Sequence, residues 1–310
     1  MKVKNIHLLL LLACLWGPSF LFIKIAVGEV PPIMLAALRI AIAALILNVL
    51  LFIKKERLPL SLDYWKKIVV AGLFAQGIPF VLINWGEQYV DSSLASVLNG
   101  LMPLFTIIFA HFMISDERLT NNKIFGVLLG FIGLLVLVMP SLLRGANGSF
   151  LGILSITVAA ASYGIGLSYI RKHFSNAESF KAPAAQLLSV SVYLLPLAFL
   201  IHPEFSIWSV STAGIGSILV LAIFGTAIAF IVYFKLIEQS SAGYASLVTY
   251  IMPIFGVVLG VVFLNEPLTL WVLVGAAFIL AGIRQTKKPV VKTEKRFGIQ
   301  IDTALYSKFR

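Results

Sequence analysis

Ten apolar runs of about twenty residues, parted only by short polar breaks, dictate what this chain can become. They lie at roughly 6–27, 31–53, 67–87, 94–114, 122–140, 149–170, 182–201, 212–235, 242–264 and 268–285. A helix needs about 20 mostly apolar residues to cross a bilayer, so ten such runs read as ten transmembrane helices. The breaks carry turn chemistry or charge, as in Gly28-Glu29-Val30-Pro31-Pro32 and Asn265-Glu266-Pro267. Only 12% of the residues are charged, against about a quarter in a soluble domain, and no stretch remains that could form a polar-shelled domain.

At the N-terminus, Lys2 and Lys4 precede an apolar run, and Leu11-Leu12-Ala13-Cys14 loosely resembles a lipoprotein cleavage box. The chain stays apolar through Trp16, Phe20 and Ile23, however, so the expectation is an uncleaved first helix. The lone cysteine, Cys14, excludes an internal disulfide framework.

The net charge of +11 points to topology. Lys and Arg sit between apolar runs or in the tail, not in a stripe with interleaved aromatics, so no nucleic-acid partner is expected. With the N-terminus in the cytoplasm, 21 basic residues fall on cytoplasmic segments and one, Arg144, on an outer loop, leaving Lys24 and Arg39 inside helices. Basic residues in short loops resist translocation. The expectation is therefore a multi-pass protein of a bacterial plasma (inner) membrane, with both termini cytoplasmic and an even helix count.

The chain also repeats itself. Ala95 to Phe105 aligns with Ala245 to Phe255 at an offset of 150, sharing Ala-Ser at the start and Met-Pro-x-Phe at the end. Glu117-Arg118-Leu119-Thr120 matches Glu266-Pro267-Leu268-Thr269, Trp16-Gly17 falls opposite Tyr163-Gly164, and Arg39 opposite Gln186. Five spans per half force the second copy to insert upside down. The fold expected is an all-α membrane protein of two inverted five-helix repeats, at 1–143 and 144–286, followed by a basic cytoplasmic tail at 287–310. Inverted repeats recur in secondary transporters, where the substrate sits near the midplane between the halves.

Taken with Trp16-Gly17-Pro18-Ser19-Phe20, Lys24, Pro31-Pro32, the paired Pro103 and Pro253 and the two Glu-x-Leu-Thr turns, the chain resembles the EamA-type branch of the drug/metabolite transporter superfamily over about residues 5–286. The resemblance implies a ten-helix exporter or exchanger, commonly of amino acids or related metabolites. It also implies a central cavity walled by helices 1, 3, 4, 6, 8 and 9.

Polar groups at membrane depth usually face the protein interior. In the fourth helix Ser96, Asn99, Gly100 and Pro103 share a face, as do Ser246, Thr249, Tyr250 and Pro253 in the ninth. The alternative is that the hydroxyls bond their own helix and the prolines only kink it. Gln76, Phe80, Asn84 and Glu87 form a face of the third helix: an amide there can orient a carboxylate or amine and Phe80 can stack on its apolar part, while Glu87 reads as interfacial. Trp16, Ser19 and Tyr163 sit at matched depths in the first and sixth helices and suit a gate, or simply fill gaps. Phe230 and Tyr233 are weaker candidates of the same kind. Lys24 can snorkel to the headgroups, and Arg39 reads as an anchor needing helix carbonyls or the substrate as partner. His111 reads as interfacial.

All thirteen acids fall at or near helix ends or in loops, so no mid-helix carboxylate suggests proton coupling. No Walker A pattern or cysteine cluster appears, and no cofactor or metal is expected. Glycines at 126, 130 and 133, and at 256 and 260, permit close helix approach, by default within the monomer and in the sharper reading across a homodimer. The tail suits an anionic lipid surface. The function expected is secondary transport of small amphipathic metabolites, amino acids above all. Carriage of another solute class, such as nucleosides or drug-like molecules, is the alternative, and a scaffold or an intramembrane enzyme ranks below.

Overall fold

The computed structural model describes residues 5–115, 118–144, 147–174, 181–239 and 248–286. The basic tail from residue 287, Glu117 and Ser246 lie outside these residues. Among the described residues, eight helices are long and apolar enough to cross a membrane: α1 (Ile6–Ala26), α2 (Pro32–Ile53), α3 (Leu62–Gly86), α4 (Ser92–Met113), α5 (Asn121–Pro140), α6 (Gly148–Phe174), α7 (Lys181–Ile201) and α8 (Thr212–Tyr233). Two shorter apolar helices, α9 (Val248–Leu264) and α10 (Leu270–Thr286), complete the ten. No strand occurs among the described residues.

The outer surface is what lipid requires. Leu45 and Phe52 of α2, Leu128 and Leu135 of α5, Val192 and Leu200 of α7, and Val258 and Val262 of α9 are large, apolar and exposed. The interior inverts the rule for soluble proteins, since Arg39, Gln76, Asn84, Glu87, Gln186 and Thr226 are all buried. Lipid tails cannot hydrogen-bond, so polar groups gain by turning inward.

The main contacts between the halves come in pairs related by a shift of five helices. α3 packs on α6 as α8 packs on α1; α4 lies on α6 as α9 lies on α1; α3 meets α7 as α8 meets α2. The self-related pairs are α2 with α7, α4 with α9 and α5 with α10. Two five-helix repeats, inverted and wrapped about a pseudo-twofold axis, give this pattern.

The spans of the two halves are broken at matching places. α3 winds into a π-helical turn at Leu73–Gly77 and α8 does the same at Ile223–Ile228, 150 residues on. Such turns leave backbone carbonyls without their usual donors. A serine of α6 meets part of this need from across the half boundary, Ser162 Oγ donating to Phe74 O at 2.9 Å; a second, Ser155 Oγ, donates to Leu82 O at 2.7 Å in the regular helix beyond the turn. α1 turns at Gly17-Pro18, and α4 at Gly100-Leu101 just before Pro103.

Candidate transport site between the halves

Arg39 of α2 reaches into the π turn of α8. Its Nε donates to Thr226 Oγ1 at 2.8 Å and an Nη to Gly225 O at 3.3 Å, while its guanidinium lies 4.2 Å from the centre of the Phe80 ring. The partners foreseen for this cation were helix carbonyls or substrate. The chain supplies one carbonyl, one hydroxyl and an aromatic face, which together offset the burial of a charge.

The equivalent contact in the other half is uncharged. Gln186, opposite Arg39 in the repeat, accepts from Gln76 Nε2 at 3.0 Å through its Oε1, and Gln76 stands 150 residues before Thr226. Each half thus extends its second helix to the π turn of the other half's third helix. The aromatics follow the same symmetry. Tyr163 meets Phe80 edge-on with centres 6.5 Å apart, and Trp16 meets Phe230 edge-on at 6.4 Å; 80 and 230 again differ by 150. Tyr233 closes on Trp16 at 5.4 Å.

The structure therefore gathers Arg39, Gln76, Phe80 and Tyr163 with Gln186 and Thr226, and places Trp16 in a separate, symmetry-related aromatic cluster. Asn84 is fully buried and its Nδ2 donates to Pro32 O at 3.0 Å, tying α3 to the start of α2. Ser96 bonds its own helix, Oγ to Ser93 O at 2.7 Å, and packs against Gly256 of α9. Thr249 is buried on α9, whereas the side chain of Tyr250 is outside the described residues. Ser19 lines a cleft of about 190 Å³ between α1 and α8, with Cys14, Phe22, Phe224 and Gly225. Four of the residues chosen from sequence carry a buried oxygen with no hydrogen-bond partner among the described residues: Ser19 Oγ, Gln76 Oε1, Asn84 Oδ1 and Asn99 Oδ1.

Two charged residues, Lys24 and Glu87, stand elsewhere than sequence suggested. Lys24 does not snorkel: its Nζ donates to Glu87 O at 2.6 Å and Val90 O at 2.7 Å, closing the C-terminal end of α3. A cation suits the exposed carbonyls at a helix C-terminus. Glu87, expected at the interface, is fully buried. His111 Nδ1 accepts from Leu119 N at 3.3 Å and so braces the turn after α4.

Two acids missed in sequence join the halves at the end where α1, α3, α7 and α9 finish. Glu266, after α9, accepts from Ser92 N at 2.7 Å and Ser93 N at 2.9 Å, capping α4. Glu29, after α1, accepts from Ser211 N and Ser211 Oγ, each at 2.6 Å, at the start of α8. A carboxylate at a helix N-terminus satisfies free N–H groups and meets the positive end of the helix dipole. The signal was available: each acid lies in a turn facing a helix start of the other half. The Ser211 hydroxyl and backbone N–H hold the Glu29 carboxyl below the usual carboxylate range. Its depressed value means that the contact is present above that range and lost only as pH falls through the lowered value. Glu266→Gln keeps one acceptor but loses the charge and the second; it is expected to cost about 1–2 kcal/mol, read as a lower melting temperature in detergent.

Comparison with known proteins agrees with this architecture. The EamA-like transporter family model matches twice, over residues 4–139 and 150–285. An uncharacterised transporter of Archaeoglobus fulgidus is 32% identical over 290 residues, covering 91% of this chain and 98% of its own. The uncharacterised transporter YoaV of Bacillus subtilis is 28% identical over 271 residues, covering 87% and 91%. A probable amino-acid metabolite efflux pump of Salmonella typhimurium is 29% identical over 294 residues, covering 91% and 94%. A crystal structure aligns with a TM-score of 0.62 at 20% identity, over 93% of this chain and 98% of that one, and shares the fold. With both halves matched and the paired helix contacts in place, this chain belongs to the EamA-like transporter family.

Proposed function

We propose that the protein is a secondary carrier that exports amino acids or related amphipathic solutes by alternating access between its inverted halves. It sits in a bacterial inner membrane with both termini in the cytoplasm. The observation that carries the reading is the set of buried acceptor oxygens at Gln76, Asn84 and Asn99 without partners in the described chain. They stand in the same bundle as the Arg39 cation and the Phe80 ring. Acceptors suit an ammonium, the cation suits a carboxylate, and the aromatic faces suit an apolar side chain. The Salmonella typhimurium relative, a probable amino-acid metabolite efflux pump, supports the same solute class. The unequal pair Arg39–Thr226 and Gln76–Gln186 gives the two halves contacts of different strength, and rocking one half against the other exposes the site to each side in turn.

Counterflow in proteoliposomes across a panel of amino acids tests this. Labelled solute should exchange for at least one amino acid. Asn99→Ala should slow that exchange by about three- to tenfold, the worth of one hydrogen bond. Unchanged exchange in that variant removes Asn99 from the site, and no exchange for any solute overturns the carrier reading.

A further inference from the structure

Glu87 stands at the end of α3 with its side chain wholly enclosed. Neither carboxyl oxygen has a hydrogen-bond donor among the described residues. The nearest cation, Lys24, directs its ammonium to the main-chain carbonyls of Glu87 and Val90 instead. The other groups within electrostatic reach are Arg39 on α2, committed to Thr226 and Gly225, and Glu266 from the turn after α9, committed to the start of α4. Tyr163 on α6 is within electrostatic reach of Arg39. Against this end of α3, α6 sets Ile156 and the Gly152 backbone. Asp91 follows on the same turn; burial, then the nearby Glu266 carboxylate, pushes its carboxyl above the ordinary range, with Lys24 opposing. Ser92 Oγ is fully buried beside Glu266 and likewise has no partner among the described residues.

Three acids and one lysine therefore meet where this end of the bundle is shut by the Glu266 cap. An enclosed carboxylate without donors is costly. A carboxyl carrying a proton costs far less to enclose, and opening the end would return the group to water, where ionisation is cheap again.

We propose that Glu87 is a proton-binding group that holds a proton while this end of the bundle is closed and releases it when the end opens. The closed state binds one proton more than the open state, so closure is favoured as pH falls and weakened as pH rises. Glu29 is no substitute for this role, because its contact with Ser211 outlasts mild acid. The transport readout rests on the carrier reading above; the spectroscopic one does not.

The test uses the full chain. In proteoliposomes with equal pH on both faces, exchange of a transported amino acid should fall as the medium is acidified, by up to about tenfold per pH unit for one linked proton. Glu87→Gln should abolish that slope. A slope unchanged in Glu87→Gln overturns the proposal, as does a pH-independent rate in the unsubstituted chain. In detergent without solute, infrared difference spectra should show a protonated-carboxyl band that disappears on alkalinisation and is absent from Glu87→Gln. Should that variant not fold, Glu87→Asp must shift the titration of the band, and an unshifted band overturns the assignment. Loss of all exchange with the band present would count against the carrier and not against Glu87.

Discussion

Arg39→Gln should leave the protein folded and nearly as stable as before, yet slow exchange of zwitterionic amino acids by more than about tenfold. The reason lies in the repeat. The other half already carries a glutamine at the equivalent position, and Gln186 holds the π turn of α3 through Gln76. A glutamine at 39 can bond Thr226 in the same manner, so the joint between α2 and α8 survives with a loss of about 1 kcal/mol. What it cannot supply is the cation. Arg39→Lys reverses the test: charge is kept, but an ammonium lacks the planar fork that reaches Thr226 and Gly225 while lying on Phe80. Lysine should therefore be the less stable and the more active of the two variants. Melting temperature in detergent and counterflow rate separate them. Equal exchange in wild type and Arg39→Gln would reduce Arg39 to an anchor.

The ten helices were legible because hydrophobic length and charge placement are one-dimensional signals. The inversion was legible because similarity at an offset of 150 survives divergence. The same offset also held information beyond the proline turns: 76 with 226 and 80 with 230 are the positions through which each half grips the other. Gln76, Phe80 and Phe230 are legible as inward-facing residues, but the partnership of 76 with 226 is not, because Gln and Thr, though both polar, share no sequence likeness, and the π turns that present these two carry no residue signature. Periodicity fixes which side of a helix a residue occupies, and Gln76 and Asn84, placed on an inward face from sequence, are buried. Depth was read less well. Glu87 sits at the end of a span in sequence, yet the opposite half folds over that end through Glu266 and the Glu87 side chain is enclosed, with Lys24 half-buried against the same turn. Burial by a distant turn cannot be inferred from a hydropathy profile. The pairing of Trp16 with Phe230, and of Tyr163 with Phe80, is likewise a property of how the halves cross.

The glycines of α5 give the largest expected change in stability. A side chain at Gly126 would place its first carbon 2.5 Å from Gly282 O, and one at Gly282 would meet Gly126 O at the same 2.5 Å. Gly133 stands likewise 2.7 Å from Gly275 O. These are backbone-to-backbone contacts between α5 and α10, so no rotamer change relieves them. In a bilayer, helix association draws little on the hydrophobic effect and depends on close packing, which small residues permit. Gly126→Val should cost about 3 kcal/mol or more by overpacking, with the helices forced apart along their length. Gly282→Val should do the same, and the double variant should not be additive, because the first change already parts the pair. Gly216 of α8 is the control: nothing lies within 4 Å of its would-be side chain, so Gly216→Ala should be neutral or stabilising by up to about 1 kcal/mol through helix propensity. Thermal unfolding in detergent reads all four. Should Gly126→Val instead leave the monomer's melting unchanged and abolish a dimer, the close approach would belong to an interface between two copies rather than to the joint between α5 and α10.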